Sequence, residues 1–327
     1  MEDFWTWCGS VVEDDCGLFH MFASAWEKSV PFAPNWLTNS RIVRAESPVP
    51  EGPYTYCGDV LPPRHASFWD GRMTHNPTIH RWNDLYLLFY TGTTFSEPPP
   101  GPGDVVSEEM YQACRSRQRI GLAVAESPEG PWRRPDGPCL EPRSGHWDSF
   151  MMTNPAPCVL PNGGILLLYK SSGDAAGPIR YGVAKAESPM GPFRRVGPDG
   201  PIVFDQPDVA YEDAYVWLQG DQFQMLFNDL SGVFTGEARA GAHAISGDGV
   251  HWRLNDPSKA YSRRVRWSDG TVTTQGSVER PQLLIRNGIP THLFCATSDG
   301  NNGFVGAKNA WNMVMPLEWG DSEPSCS

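Results

Sequence analysis

Three features of the sequence predict an all-β fold, a β-propeller of five blades with four antiparallel strands in each blade. A short apolar run, a turn built from proline and glycine, and an aromatic residue recur along the chain. Five further segments open with polar, aromatic or charged residues and pass into an apolar run, as the first strand of a blade would. The 327 residues include 13 Trp, 33 Gly and 31 Pro, which is typical of many short strands joined by tight turns. Four-stranded sheets repeated around an axis form a propeller, which leaves only short sheet edges exposed.

The recurring hairpin has three close copies and one degenerate copy. In the close copies an Ala-Glu-Ser-Pro run leads to a Gly-Pro-aromatic sequence, so that proline and glycine fix the turn and the ring packs back. The close copies span residues 44–54, 125–132 and 186–193, and the degenerate copy spans residues 244–252. Matches of this length indicate repeated hairpins rather than a coincidence of proline-rich loops.

Five segments are predicted to be equivalent first strands that point at one shared pocket. They begin at Trp7, His75, Thr153, Tyr211 and Glu279. The segment 211–217 places adjacent carboxylates at the start of a buried strand, where carboxylates are depleted and costly without a partner or a task. The chain is accordingly predicted to be one domain, residues 1–327, with blades at approximately 5–60, 68–142, 147–205, 208–266 and 276–318.

Composition and charge argue against several classes of function. The net charge of −12, from 26 basic and 38 acidic residues, argues against a nucleic-acid partner because phosphate binding needs a basic surface. No apolar run approaches the roughly 20 residues that span a bilayer, so no membrane partner is expected. The acidic N-terminus lacks a secretory signal, which favours a cytoplasmic protein, or a secreted one if the N-terminus was trimmed. The eight cysteines lack metal-type spacing, so no metal site is predicted; free thiols are favoured, while disulfides and the oligomeric state stay open.

Propeller geometry gathers polar residues at one mouth of the central channel. In each blade the connection entering the first strand and the connection leaving the second strand lie on the same face. Convergent polar groups in a concave, aromatic-walled pocket mark a candidate binding site. The candidates for substrate binding are Trp7, His75, Asn76, Asn154, Lys170, Asp229, Glu279 and Arg280. Indoles that stack on apolar faces, with carboxylates and amides that bond hydroxyl groups, suit a sugar.

Four carboxylates are candidates for catalysis, because glycoside hydrolysis needs one protonated acid and one ionised base or nucleophile. They are Glu212, Asp213, Asp70 and Asp148. Asp70 and Asp148 each follow a tryptophan and precede an Asn-Pro pair at nearly the same distance, and Asp208 plays a similar part before Glu212. Purely structural roles stay open at these positions. Asp70 and Asp148 could anchor loops, Glu212 and Asp213 could hold a blade closed by hydrogen bonds, and Glu279 and Arg280 could form an ion pair between blades. His75 could be a hydrogen-bonded histidine of the inner channel, and Lys170 could face solvent.

The chain resembles the five-bladed β-propeller glycoside hydrolases, closest to family 43 and the related family 117. The resemblance covers most of the chain and rests on His-Asn-Pro-Thr-Ile at 75–79, on Asp-Leu-Tyr-Leu-Leu-Phe-Tyr-Thr-Gly at 84–92, and on the repeated hairpins. It implies a Glu acid on the fourth blade, an Asp base on the first and a pKa-tuning Asp on the third. Glu212 matches the acid by position, whereas Asn154 stands at the third-blade position and Trp7-Cys8 at the first. A calcium or sodium ion in the central channel would fit the family, and no cofactor is required.

The sequence therefore predicts an exo-acting hydrolase of a plant- or algal-type oligosaccharide. Glu212 is expected to be the general acid, Asp213 its tuning partner, and Asp148 or Asp70 the base. Lys170 and Arg280 would suit an acidic sugar, because a guanidinium group matches a carboxylate. Two alternatives stay open on the same scaffold: a polysaccharide lyase with His75 or a tyrosine as base, and a carbohydrate-binding propeller without catalysis.

Overall fold

The computed structural model describes residues 1–204 and 209–318, and in this part of the chain it shows the predicted five-bladed β-propeller. Blades 1, 3 and 4 have four antiparallel strands, and blades 2 and 5 have three. Blade 1 contains β1 (Phe4–Glu13), β2 (Phe19–Glu27), β3 (Arg41–Ser47) and β4 (Thr55–Asp59), and blade 2 contains β5 (Met73–Trp82), β6 (Leu85–Thr93) and β7 (Arg119–Ala125). Blade 3 contains β8 (Thr153–Val159), β9 (Ile165–Ser171), β10 (Arg180–Ala186) and β11 (Arg194–Arg195), and blade 4 contains β12 (Glu212–Gln219), β13 (Gln222–Asp229), β14 (Ala240–Ser246) and β15 (Arg253–Tyr261). A hairpin of β16 (Arg264–Arg266) and β17 (Val272–Thr274) leads to blade 5, which contains β18 (Val278–Arg286), β19 (Ile289–Ser298) and β20 (Ala310–Pro316).

The first strands of the blades form the inner wall of the propeller. Strands β1, β5, β8, β12 and β18 contact one another in sequence, and β18 contacts β1 to close the ring. The amide of Gly9 in β1 also donates to Asn312 Oδ1 in β20 at 2.8 Å, which ties the last blade to the first. Apolar side chains fill the spaces between neighbouring blades, as in the cluster of Phe22, Ile42 and Leu88 between blades 1 and 2.

The two three-stranded blades depart from the predicted four strands. In blade 2 the expected last strand at 132–134 keeps one backbone bridge, between Val124 and Arg133. Pro131 and Pro135 flank this segment and cannot donate hydrogen bonds to a sheet. In blade 5 the sequence favours a third strand near 304–307, but that segment belongs to a loop, and the strand is β20 instead.

The repeated hairpins form as predicted. The glycine before the aromatic residue has a positive φ in each close copy, which a residue with a Cβ rarely adopts. The aromatic ring then packs against that glycine. The pairs are Gly52 (φ 83°) with Tyr54, Gly130 (φ 95°) with Trp132, and Gly191 (φ 80°) with Phe193.

Three insertions rise on one face of the propeller, each between the second and third strands of a blade. Blade 1 carries a turn of helix, α1 (Trp36–Asn39), and blade 2 carries α2 (Glu108–Ser116), which Ser107 caps by accepting from the Met110 amide. Blade 5 carries the loop 299–309. Neither helix in the described residues is long and apolar enough to cross a membrane.

Candidate functional site

A cavity of about 280 Å³ opens at the mouth where the first strands begin. Aromatic and polar side chains line the cavity, and the two groups are called here the aromatic wall and the polar wall. The aromatic wall comprises Trp7, Trp26, Phe32, Trp36, Tyr111 and Phe304; the polar wall comprises His75, Asn76, Asn154, Lys170, Glu212, Asp213, Glu279 and Arg280. A larger cavity, about 730 Å³, lies at the opposite end of the channel. Its arginines are bound in surface ion pairs, Arg81 with Asp15 and Arg286 with Glu13, so the smaller cavity is the candidate site.

The three insertions supply most of the aromatic wall. Phe32 stacks on Phe304 with ring centroids 4.6 Å apart, and Trp7 meets Phe32 edge-on at 5.1 Å. Trp36 belongs to α1 and Tyr111 to α2. Sequence analysis named Trp7 but missed the others, because aromatic residues in irregular loops have no periodicity that aims them at a site. The proline-rich start of the long loop in blade 2, at 98–103, was the available signal for the α2 insertion.

The polar wall is built by a β-bulge repeated in all five first strands. Each strand shifts register at its start, and the residue at the shift has a positive φ although it is not glycine. These residues are Cys8 (58°), Asn76 (51°), Asn154 (46°), Asp213 (61°) and Arg280 (54°). The left-handed conformation costs roughly 1–2 kcal/mol for a residue with a Cβ. Strained residues of this kind cluster at functional sites.

Three carboxylates meet in the polar wall, and each has a basic partner. Glu212, Asp213 and Glu279 each place one oxygen within 4.8 Å of the others. Lys170 Nζ donates to Glu212 at 2.8 Å, Arg239 to Glu279 at 3.1 Å, and Arg280 to Asp213 at 3.5 Å. Lys170 lies in β9, Arg239 directly before β14, and Arg280 in β18. Arg239, with φ 63°, was missed by sequence analysis because it follows a loop and carries no motif.

The environments of the two glutamates push their pKa values apart. Burial opposes the charge of Glu212, but the charge and hydrogen bond of Lys170, with Arg239 and Arg280 nearby, lower its pKa below the usual value. Burial raises the pKa of Glu279 to about 8, with help from the negative charges of Asp213 and Glu212. Burial and Glu212 also raise the pKa of Asp213. Glu212 is therefore ionised near neutral pH and Glu279 protonated, which is the reverse of the expectation that Glu212 carries the catalytic proton.

His75 lies in the polar wall beside the indoles. Its Nδ1 is 2.7 Å from Ser40 Oγ, and its ring contacts Trp26 and Trp36 at centroid distances of 5.8 and 5.3 Å. Burial, with the charges of Arg280 and Lys170, lowers its pKa to about 3. His75 is therefore a neutral group held in a fixed orientation.

The structure places Asp70 and Asp148 away from the cavity, which corrects their assignment as candidate bases. Both carboxylates are fully buried. Asp70 accepts from Tyr90 at 2.7 Å, from Arg134 at 3.2 Å and from Arg64. Asp148 accepts from Arg195 at 2.7 Å, Arg143 at 2.9 Å and Tyr169 at 3.1 Å. Each carboxylate joins a loop to its own blade, and no oxygen is free to activate water.

Asp229 is also structural. It is fully buried at the end of β13 and accepts from the backbone amides of Gly232, Phe234 and Thr235, each at 2.9 Å. It therefore shapes the loop leading to Arg239 and does not line the cavity. Asp208 lies outside the described residues.

The carboxylates do not form a fitting site for the calcium or sodium ion that the resemblance implies. Among residues 1–204 and 209–318, Glu212, Asp213 and Glu279 are the ligand-type side chains that come close enough together. Lys170, Arg239 and Arg280 already donate hydrogen bonds to them. A hard cation prefers several uncommitted oxygen ligands. No mechanistic step is therefore assigned to a metal.

Comparison with solved structures finds the same fold in several glycoside hydrolases. Zg3597, a family 117 glycoside hydrolase of Zobellia galactanivorans, matches with a TM-score of 0.66 and 17% identity, over 96% of this chain and 84% of that one. A GH43_1 enzyme from Xanthomonas citri, complexed with xylose, matches with a TM-score of 0.60 and 15% identity, over 97% and 88%. An endo-arabinase from Bacteroides thetaiotaomicron matches with a TM-score of 0.59 and 12% identity, over 97% and 95%. Neither a protein-family model nor a curated protein matches the sequence. At these identities the likeness establishes the five-bladed fold.

Proposed function

We propose that this protein is a glycoside hydrolase in which Glu279 is the general acid and Glu212 the charged carboxylate. The observation that carries the proposal is the pair itself: two glutamates in one small pocket whose pKa values are pushed in opposite directions. Such a split is how a protein assigns acid and base roles to chemically equal groups. The aromatic wall of the same cavity supplies the apolar surface on which a sugar ring stacks. The hydrolase structures with the same fold support the same class of reaction.

The close approach of the two glutamates is compatible with attack by Glu212 itself, and this is the mechanism that we propose. Carboxyl groups about 5–5.5 Å apart are typical of retaining enzymes, whereas inverting enzymes leave about 6.5–9.5 Å for a water. One oxygen of Glu212 lies within 4.8 Å of one oxygen of Glu279. In the proposed first step Glu212 attacks the anomeric carbon while Glu279 protonates the leaving oxygen. In the second step the ionised Glu279 takes a proton from water, and that water releases the sugar from Glu212.

The size of the cavity supports cleavage at a chain end. Its volume of about 280 Å³ is at the lower limit of the roughly 300–1,000 Å³ found for sites that hold drug-sized ligands. One sugar ring fits such a space better than a run of several. Because the three insertions enclose one side of the mouth, we propose that an oligosaccharide, of plant or algal type as the resemblance implies, is bound by its terminal residue.

The charges of the pocket do not favour an acidic sugar. Arg280 is 2% exposed and Lys170 is bonded to Glu212, so neither is presented to a ligand as a free cation. A polysaccharide lyase would need a cation for the uronate carboxylate in addition to a base such as His75 or Tyr111. We therefore place neutral sugars first in the test.

The test compares the wild type with Glu279→Gln and Glu212→Gln on a panel of neutral and acidic oligosaccharides and aryl glycosides. Glu187→Gln, at an exposed position in a hairpin, is the matched control. We expect each active-site variant to lose about 10²–10⁴-fold in kcat/KM, as is usual for a general acid or base. Glu279→Gln should recover rate on aryl glycosides with good leaving groups, because these need no proton, whereas Glu212→Gln should not.

The products separate the proposal from its alternatives. Retention of anomeric configuration, read by proton NMR of the first product, supports Glu212 as nucleophile. Full activity of both variants would rule out the glutamate pair. Products with an unsaturated uronic acid would identify a lyase, and binding of a glycan without turnover would identify a carbohydrate-binding propeller.

A further inference from the structure

The five residues at the β-bulges, one from each blade, form a ring across the channel beneath the cavity. All five are buried, with exposures of 5% or less. Cys8 Sγ donates to Asn76 Oδ1 at 2.7 Å, and Asn76 Nδ2 donates to Asn154 Oδ1 at 2.7 Å. Asn154 Nδ2 donates to Asp213 Oδ1 at 2.8 Å. Arg280 donates to Asp213 through its backbone amide at 3.3 Å and its Nη1 at 3.5 Å, and its charge faces Cys8.

The direction of these hydrogen bonds is fixed by Asp213. An ionised carboxylate can only accept, so Asn154 must turn its amide nitrogen towards Asp213. The Asn154 oxygen then accepts from Asn76 and from Thr153 Oγ1, the latter at 3.0 Å. The Asn76 oxygen in turn accepts from the Cys8 thiol, and burial raises the pKa of that thiol well above the usual value. Every bond of the ring therefore points towards Asp213, which receives donors from both sides.

We propose that Asn154 is a positioning residue that, by completing this ring, holds the Asp213 carboxylate charged and aligned beside Glu212 and Glu279. Hydrogen bonds to a carboxylate favour its charged form, and in a buried site they are strengthened by the low dielectric. Here they oppose burial and the charge of Glu212, which raise the pKa of Asp213. The negative charge of Asp213 is one of the causes that keep Glu279 protonated. The role in catalysis rests on the proposed function, whereas the hydrogen-bonded state of Asp213 does not.

Several other charged or titratable groups act on Asp213, and the experiment must separate them from Asn154. They are Glu212, Glu279, Lys170, Arg280, Cys8, Tyr181, Tyr261 and Cys295. None of these is altered by a substitution at Asn154, so their contributions remain as a constant background.

The test is a titration of aspartate carboxyl carbons by ¹³C NMR in protein labelled at aspartate, with the Asp213 signal assigned through Asp213→Asn. In Asn154→Ala the loss of one charge-assisted hydrogen bond should raise the pKa of Asp213 by about one to two units relative to the wild type. Asn154→Asp is nearly isosteric and gives a second outcome. Two carboxyl groups in contact should share a proton, with one apparent pKa lowered and the other strongly raised.

Ser10→Ala is the matched control. Ser10 is buried in β1, two residues after Cys8, and does not belong to the ring. Its Oγ donates to Gln282 Oε1 at 3.0 Å. An unchanged Asp213 titration in folded Asn154→Ala, or an equal shift in Ser10→Ala, would overturn the proposal. If Asn154→Ala does not fold, two unsplit carboxyl titrations in Asn154→Asp would overturn it. These readouts need no substrate, so failure of the ring and failure of the hydrolase proposal are distinguished.

Discussion

Replacing Lys170 by methionine tests what keeps Glu212 ionised while Glu279 is protonated. Lys170 is 11% exposed and Glu212 20% exposed, and the two are bonded at 2.8 Å. Unit charges about 4 Å apart interact by about 4 kcal/mol at an effective dielectric constant of about 20. An opposite charge at such a distance typically lowers the pKa of an acid by about 1–3 units, which corresponds to about 1.4–4 kcal/mol. Without Lys170, the pKa of Glu212 should rise by that amount.

The assay is the pH dependence of kcat/KM. Under the proposed function activity requires Glu212 ionised and Glu279 protonated, so the wild-type profile should fall on the acid side with Glu212 and on the basic side near pH 8 with Glu279. In Lys170→Met the acid limb should move to higher pH by about 1–3 units, so that the pH range in which the protein is active becomes narrower. Lys185→Met, on the neighbouring strand β10 of the same blade, is the control and should leave both limbs in place. A Lys170→Met profile that is lower but has an unmoved acid limb would refute the assignment of Glu212 as the charged carboxylate.

Four further predictions follow from the same contacts. Asp213→Asn removes a negative charge beside Glu279, so the basic limb of kcat/KM should move to lower pH; a basic limb that stays near pH 8 would contradict the coupling. Because the pKa of Glu279 is raised by folding from 4.5 to about 8, the folded state holds a proton that the unfolded state releases, and the free energy of unfolding should fall between these pH values by on the order of a few kcal/mol. Urea denaturation of Glu279→Gln should show a flatter dependence in that window, and an identical slope would argue against a raised pKa. Asp70→Ala leaves Arg64 and Arg134 without their buried partner, so the free energy of unfolding should fall by about 3–5 kcal/mol with little change in kcat; loss of activity at unchanged stability would return Asp70 to the catalytic candidates. Trp36→Ala removes one aromatic face of the cavity and should raise KM by up to about tenfold, with a smaller effect on kcat, in steady-state assays on the best substrate.

The fold could be predicted because its signals are local. Proline and glycine fix the turns of the repeated hairpins, and each first strand is recognised in the sequence by polar residues before an apolar run. Once these strands are equivalent, residues such as His75, Lys170 and Glu279 must converge, and all three line the cavity. The number of strands in blades 2 and 5 was harder to predict. It depends on prolines in blade 2 and on a loop in blade 5 that prevent strand pairing where the repeat would place a strand.

The protonation states could not be predicted, because they depend on partners distant in the chain. Glu212 looks like an acid by position, but Lys170, 42 residues away, keeps it charged. Glu279 is kept protonated by burial and by the negative charges of Asp213 and Glu212, which come from another blade. The structural role of Asp70 and Asp148 did leave a signal: an arginine precedes each Trp-Asp pair, and the hairpins ending in Arg134 and Arg195 supply the second arginine.

The insertions that carry most of the aromatic wall have a consequence for how the pocket could change its specificity. Phe32, Trp36, Tyr111 and Phe304 sit on segments outside the sheets, whereas Glu212 and Glu279 sit on strands of the inner wall. Under the proposed function, most of the surface that stacks on the sugar and the reacting carboxylates are thus encoded in separate stretches of sequence, while Trp7 and Trp26 lie on β1 and β2. Exchanging the segment 28–40 or 99–118 for that of another propeller would alter the shape of the pocket without touching the ion pairs of the glutamates, whereas the loop 299–309 also carries Asn302, whose Oδ1 accepts from Arg239 Nε at 3.3 Å. The shape of the pocket could therefore be changed by exchanging insertions, while the strands that carry the glutamates stay the same.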